Sequence, residues 1–148
     1  MTQLTPHFSL EEMTRSETAT KKGIDNTPNE TERACLVRLC REVLEPVRVK
    51  YGKPIRVTSG FRCKALNKAV KGAATSQHVT GEAADLDVGA DNKLLFRIVS
   101  GMLSRGELKV GQLIWEKGTM ENPAWVHVSL PFSDKRPNNQ ILYLGIKT

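Results

Sequence analysis

Ser76-Gln77-His78-Val79-Thr80-Gly81-Glu82-Ala83-Ala84-Asp85 sets an imidazole and a carboxylate seven residues apart around a glycine turn. Beyond the turn, Ala83 to Val88 has the alternation of a strand. Asp85 and Asp87 fall on one face, with Ala84, Leu86 and Val88 on the other. A second strand, Trp125-Val126-His127-Val128-Ser129, alternates in the same way, so that Trp125, His127 and Ser129 share a face while Val126 and Val128 point to a core. If the two strands lie side by side, Asp85 and His127 converge and the loop bearing His78 closes the third corner. Two imidazoles and one carboxylate suit zinc, which catalytic sites hold by three protein ligands with a fourth position open. With only three histidines in the chain, the choice of ligands is narrow.

The strand Val110 to Glu116, a turn through Gly118 and the strand Trp125 to Leu130 predict an antiparallel hairpin, with Ile141 to Leu144 as an edge strand. Helices fill the rest. Phe8-Ser9-Leu10-Glu11-Glu12-Met13 opens one, with Ser9 and Glu12 as a capping box and Phe8 stapled to Met13. Lys21-Lys22-Gly23 ends it. Thr27-Pro28-Asn29-Glu30 predicts a second capping box ahead of a helix whose buried stripe is Leu36, Leu39, Cys40, Val43 and Val47, kinked or divided at Pro46. Ile55 to Thr58 reads as a short strand into the Ser59-Gly60-Phe61-Arg62 turn, and Lys64 to Val70 as a short helix. Asp91 is the expected cap of a helix with Leu94, Leu95, Ile98, Val99 and Met102 inward. The fold class is α+β: helices packed on a small antiparallel sheet, in a single domain over residues 1–148.

At 148 residues the chain can bury one core. No run of apolar residues reaches membrane-spanning length, and Met1-Thr2-Gln3-Leu4-Thr5-Pro6 lacks the layout of a signal peptide, so synthesis and folding in the cytoplasm are expected. A net charge of +6 favours polyanions, but the basic residues are dispersed without interleaved aromatics, which argues against a nucleic-acid groove and for solvated faces. Cys35, Cys40 and Cys63 are odd in number and lack CxxC spacing, so reduced thiols are expected, with Cys35 and Cys40 packed as small apolar groups.

A hydrolytic zinc site needs a carboxylate within reach of the attacking water. Glu116, on the strand before His127 and on the face of Ile114, is the first choice; Glu121, in the turn, is the rival. Arg62 can pair with a substrate carboxylate or hold the site together. Ser76 and Gln77, beside a ligand, can donate to substrate carbonyls. Trp115 and Trp125 fit either a cleft wall or cross-strand packing. Asp87 is a supporting or surface group, and His7 a surface residue.

The set Ser59-Gly60-Phe61-Arg62, Ser76 to Asp85, Leu113-Ile114-Trp115-Glu116 and Trp125 to Ser129 resembles the D-Ala-D-Ala carboxypeptidase-like zinc peptidases, in particular the short phage and prophage members that act on bacterial peptidoglycan. The similarity spans roughly residues 7 to 132. It implies zinc on His78, Asp85 and His127, with Arg62 and Ser76 near the substrate. It also implies a hedgehog-like fold and hydrolysis of a peptidoglycan amide next to a D-amino acid. Several relatives carry the general base three positions before the last histidine; here that position is Ala124, which leaves the role to a glutamate on the preceding strand, Glu116. The resemblance, with the missing leader, further implies action on the cell wall after release as a phage lysin, or from a virion; a monomer is expected. The alternative is a zinc-stabilised wall- or protein-binding module that does not cut, since the hedgehog signalling domain shares the fold.

Overall fold

The computed structural model describes residues 2–147; the outermost positions of the expected domain, Met1 and Thr148, lie outside the described residues. The N-terminal segment forms a small hairpin, β1 (Gln3–Thr5) and β2 (Phe8–Ser9). The helix then expected to run to Gly23 is two helices, α1 (Leu10–Thr14) and α2 (Glu17–Lys22). Ser16 makes the break: its extended backbone and its Oγ, which accepts the Ala19 N–H at 3.2 Å, cap a new helix. Ser9 caps α1 as expected, and both Phe8 and Met13 are buried in the core.

α3 (Glu30–Leu39) starts two residues later than the Thr27 cap predicts. Asn29 outcompetes Thr27 because it exchanges reciprocal bonds with Glu32, at 2.8 and 2.9 Å, whereas Thr27 bonds back to Asp25. The helical course does not break at Pro46. It widens into a π-helical turn, Cys40–Leu44, in which the Glu45 N–H bonds the Cys40 carbonyl, and then continues as α4 (Glu45–Tyr51). A proline has no N–H for the regular ladder and its ring crowds the preceding turn, and the wider turn accommodates both. Leu36, Leu39, Cys40, Val43 and Val47 are all fully buried, while Cys35, expected in the core, is only half-buried on the flank of that stripe.

β3 (Arg56–Ser59), α5 (Lys64–Ala69), β4 (Ala83–Asp87), α6 (Asn92–Ser104), β5 (Gln112–Glu116), β6 (Trp125–Ser129) and β7 (Gln140–Leu144) complete the chain. The sheet order is β3-β4-β6-β5-β7. Its first three pairings are antiparallel, and the edge pairing of β7 on β5 is parallel. The departure has a simple cause. β6 runs back to the start of β5, where Asn139 is bonded both ways to Val110, so the next strand begins beside Gln112 and runs with β5. One face of the sheet, carrying Val57, Ala84, Leu86, Leu113, Val126 and Val128, packs with the helices into one core. On α6 the buried stripe is Leu95, Phe96, Val99 and Met102; Leu94 sits one position off it and is 48% exposed, contrary to expectation. Asp91 holds the N-cap position of α6 as expected, but its side chain makes no capping bond: its carboxylate accepts the Tyr51 hydroxyl at 2.8 Å instead.

Candidate metal centre

Strand register assembles the centre on the opposite sheet face. Asp85 stands directly across from His127 in the β4–β6 ladder, and His127 across from Ile114 in the β6–β5 ladder. Side chains at paired positions project to the same side, so the carboxylate and the imidazole meet: Asp85 Oδ1 lies 3.0 Å from His127 Nδ1. His78 arrives on a 3-10 turn, Gln77–Thr80, whose start is capped by Ser76 Oγ accepting the His78 N–H at 3.2 Å. Gly81 ends the turn with φ +80°, and a Cβ there would run into the Glu32 carbonyl at 2.6 Å, so only glycine fits between the two ligands.

Three donor atoms from His78, Asp85 and His127 lie within 4.8 Å of one another, all on buried residues. The hydrogen bonding around His78 tests whether they suit a cation. Its Nδ1 is 2.7 Å from the Gly60 carbonyl, an acceptor only, so Nδ1 carries the proton and the neutral ring presents a lone pair at Nε2. That Nε2 is buried, has no hydrogen-bond partner, and faces Asp85 Oδ1 at 3.3 Å. Two lone-pair atoms turned toward each other in a buried site call for a cation between or beside them. Burial alone would push the Asp85 carboxyl up, and protonated imidazoles facing it, through their charge and hydrogen bonds, would hold it below the usual carboxylate range; with His78 neutral, a cation at the site would take over that role. Asp85 is therefore an anion ready to ligate.

Two clefts open on the centre. The smaller, about 340 Å³, is lined by His78, His127, Glu116, Ile114, Ser76 and Gln77 among others. The larger, about 520 Å³, reaches Asp85 and Trp125. Arg62 lines both. Glu116 is half-buried, and desolvation followed by repulsion from Asp85 raises its pKa, against the pull of His127, Lys117 and Arg62. Glu121 is exposed in the turn. Arg62 donates from Nη1 to Asn67 Oδ1 at 3.2 Å, its Nε is buried without a partner, and burial lowers its pKa while Asp85 and Glu116 raise it.

Gln77, expected to donate to a substrate carbonyl, donates to the Leu130 carbonyl at 2.7 Å and so ties the ligand turn to the end of β6. Trp125 is half-buried in the larger cleft with Lys117 Nζ 5.4 Å from its ring centre, whereas Trp115 is core packing against Phe96 and Tyr143 on the other face. Asp87 accepts from the Gly89 N–H and from Asn92, supporting the end of β4. His7 is exposed and paired with Glu45 at 2.6 Å. Sequence reasoning missed Asn26, whose side chain donates to the Thr14 and Phe61 carbonyls and accepts from the Cys63 N–H, clamping the turn on both sides of Arg62. Nothing in its neighbours announces that role.

Two imidazoles and a carboxylate, two of them on a sheet face and the third on the adjoining turn, open to a cleft with a nearby glutamate, form a donor set that could hold one metal ion. The Peptidase M15 family model matches residues 6–129, and the chain belongs to that family of metallopeptidases. No curated protein matches the chain.

Proposed function

We propose that the chain is a zinc-dependent peptidase that hydrolyses an amide bond in bacterial peptidoglycan, in a stem or cross-link peptide and next to a D-amino acid. The observation that carries this reading is the convergence of His78, Asp85 and His127 with Glu116 in the same cleft. Family membership supports a peptidase acting on this type of substrate. When bound by those three residues, zinc supplies a Lewis acid that polarises a carbonyl and acidifies water. The chain's own residues do the rest. Glu116, its basicity raised by burial, takes the proton from the attacking water and passes it to the leaving amine. Arg62, between the two clefts, holds a substrate carboxylate or carbonyl oxygen. Gly60 keeps His78 in the tautomer that ligates. The setting that fits is release onto the wall during phage lysis, or delivery with a virion.

Hydrolysis of purified peptidoglycan by the wild type, Glu116→Ala and His127→Ala is the test. An enzyme loses turnover in both variants while Glu116→Ala keeps its metal and fold. Absence of wild-type turnover on walls of several chemotypes, with binding retained, replaces this reading with a zinc-stabilised binding module.

A further inference from the structure

The two clefts that meet at the centre differ in charge. The larger is lined by Arg15, Arg56, Arg62 and Lys117, against the carboxylates of Glu17 and Asp85. Asp85 is already engaged by the two histidines. Among the described residues no ion pair neutralises Arg15, Arg56 or Lys117, and all three are exposed. In the smaller cleft the cation added to the shared Arg62 is Arg136, whose guanidinium is held by Asp134 at 2.8 Å. The larger cleft is thus an arm with unpaired positive charge, and the smaller one is close to balanced. Each is large enough for several peptide atoms, and neither ends at the metal ligands: Asp85 borders one and His78 and His127 border the other. A site that only trims a terminal residue needs one long arm and a wall that stops the chain just past the cut bond; here Asp85 and the two histidines each border a cleft of their own, with Arg62 lining both.

Resting on the peptidase reading above, we infer that the enzyme cuts inside a peptide, with substrate lying through both clefts, and that Arg15, Arg56 and Lys117 form a specificity arm for a carboxylate-bearing segment on one side of the cut. Trp125, stacked under Lys117, gives that arm an apolar floor for the adjoining backbone or side chain. Charged groups this exposed act through a screened field, so each is worth a several-fold change in apparent affinity rather than an all-or-none switch.

The experiment uses soluble muropeptides from purified peptidoglycan, with carboxylates free or chemically amidated, and reads products by mass spectrometry. Wild type is expected to yield two fragments, each longer than one residue. Arg56→Gln and Lys117→Gln, each assayed on the plateau of its own pH profile, are each expected to raise KM for the free-acid substrate about three- to five-fold with kcat retained. For the amidated substrate the wild type and both variants should share one KM, and Arg97→Gln, a charge change on α6 away from the clefts, should leave both constants alone. Release of single terminal residues only overturns internal cutting, and equal KM values across wild type, Arg56→Gln and Lys117→Gln on the free acid overturn the anionic arm. Either result leaves the peptidase itself standing. Failure of the wild type to cleave any wall material removes the peptidase reading, and this inference with it.

Discussion

His78 Nδ1 donates to the Gly60 carbonyl at 2.7 Å, so the turn that carries Arg62 also sets the tautomer of the first proposed metal ligand. Gly60 cannot be enlarged: a Cβ there would collide with the Met13 backbone. Gly60→Ala is therefore expected to shift the turn, cost about 1–3 kcal/mol of stability and weaken zinc binding about 10- to 100-fold. Chemical denaturation and competition with a coloured chelator measure the two effects. An alanine variant that binds zinc as tightly as the wild type would show that the carbonyl does not position His78.

Glu116 titrates with its pKa raised, by burial first and by the Asp85 carboxylate second, while Lys117 and Arg62 pull it down. Removing a neighbouring cation makes the carboxylate harder to form. Lys117→Met should thus move the acid limb of the kcat/KM profile to higher pH, leaving the alkaline limb in place. The measurement is hydrolysis rate against pH for the two proteins at one zinc concentration. An acid limb that stays put assigns that limb to another group.

Much of the centre was legible because strand alternation is a strict two-residue rule. Once Ala83 to Val88 and Trp125 to Leu130 read as strands, Asp85 and His127 had to face the side opposite Ala84, Leu86, Val126 and Val128, and the ladder places them opposite each other. What escaped were choices between near-equivalent partners. Asn29 displaced Thr27 as a cap because Glu32 could answer it, and Ser16 cut a helix that its neighbours would have continued. Pro46 was absorbed by a wide turn, since the packed stripe on both sides of it keeps the helical axis in place. The direction of β7 depends on where the preceding loop lands, at Val110, which no local pattern encodes. The cations of the larger cleft, read singly, look like solvated surface; only the fold gathers them.

Cys40 lies fully buried in the stripe of the long helical run, and burial pushes its thiol pKa up from 9.0 to about 12. The folded-state value is above the unfolded one, so the folded chain holds the proton longer, and the stability this provides is complete below pH 9. It is lost as pH rises from there toward 12, at about 1.4 kcal/mol per pH unit. Cys40→Ala has no thiol to ionise. Its stability deficit relative to the wild type, set near neutral pH by a small cavity, should shrink steadily as pH is raised from 8 to 10.5 in urea titrations under reducing conditions. A constant deficit would mean that the thiol is not desolvated.

Asn26 joins the end of α1 to the turn around Arg62: Nδ2 donates to Thr14 O at 2.9 Å and to Phe61 O at 3.0 Å, and Oδ1 accepts the Cys63 N–H at 2.8 Å. Because Arg62 sits between Phe61 and Cys63, these bonds fix the backbone from which its guanidinium reaches the clefts. Asn26→Ala removes all three and leaves their partners to find water, at a cost of about 1–3 kcal/mol. A displaced guanidinium should lower kcat/KM by about 10- to 100-fold, since a catalytic group misplaced by an ångström costs on that order. Zinc binding should weaken less than in Gly60→Ala, because the Arg62 N–H still bonds the His78 carbonyl at 3.0 Å and the Gly60 carbonyl still accepts from its ring. Asn26→Asp keeps the acceptor for Cys63 and loses both donors, and should fall between the two in stability and in rate. A rate unchanged in Asn26→Ala, measured where the protein is fully folded, would separate Arg62 placement from this clamp, and equal losses of rate and zinc would make Asn26 a general support of the fold instead.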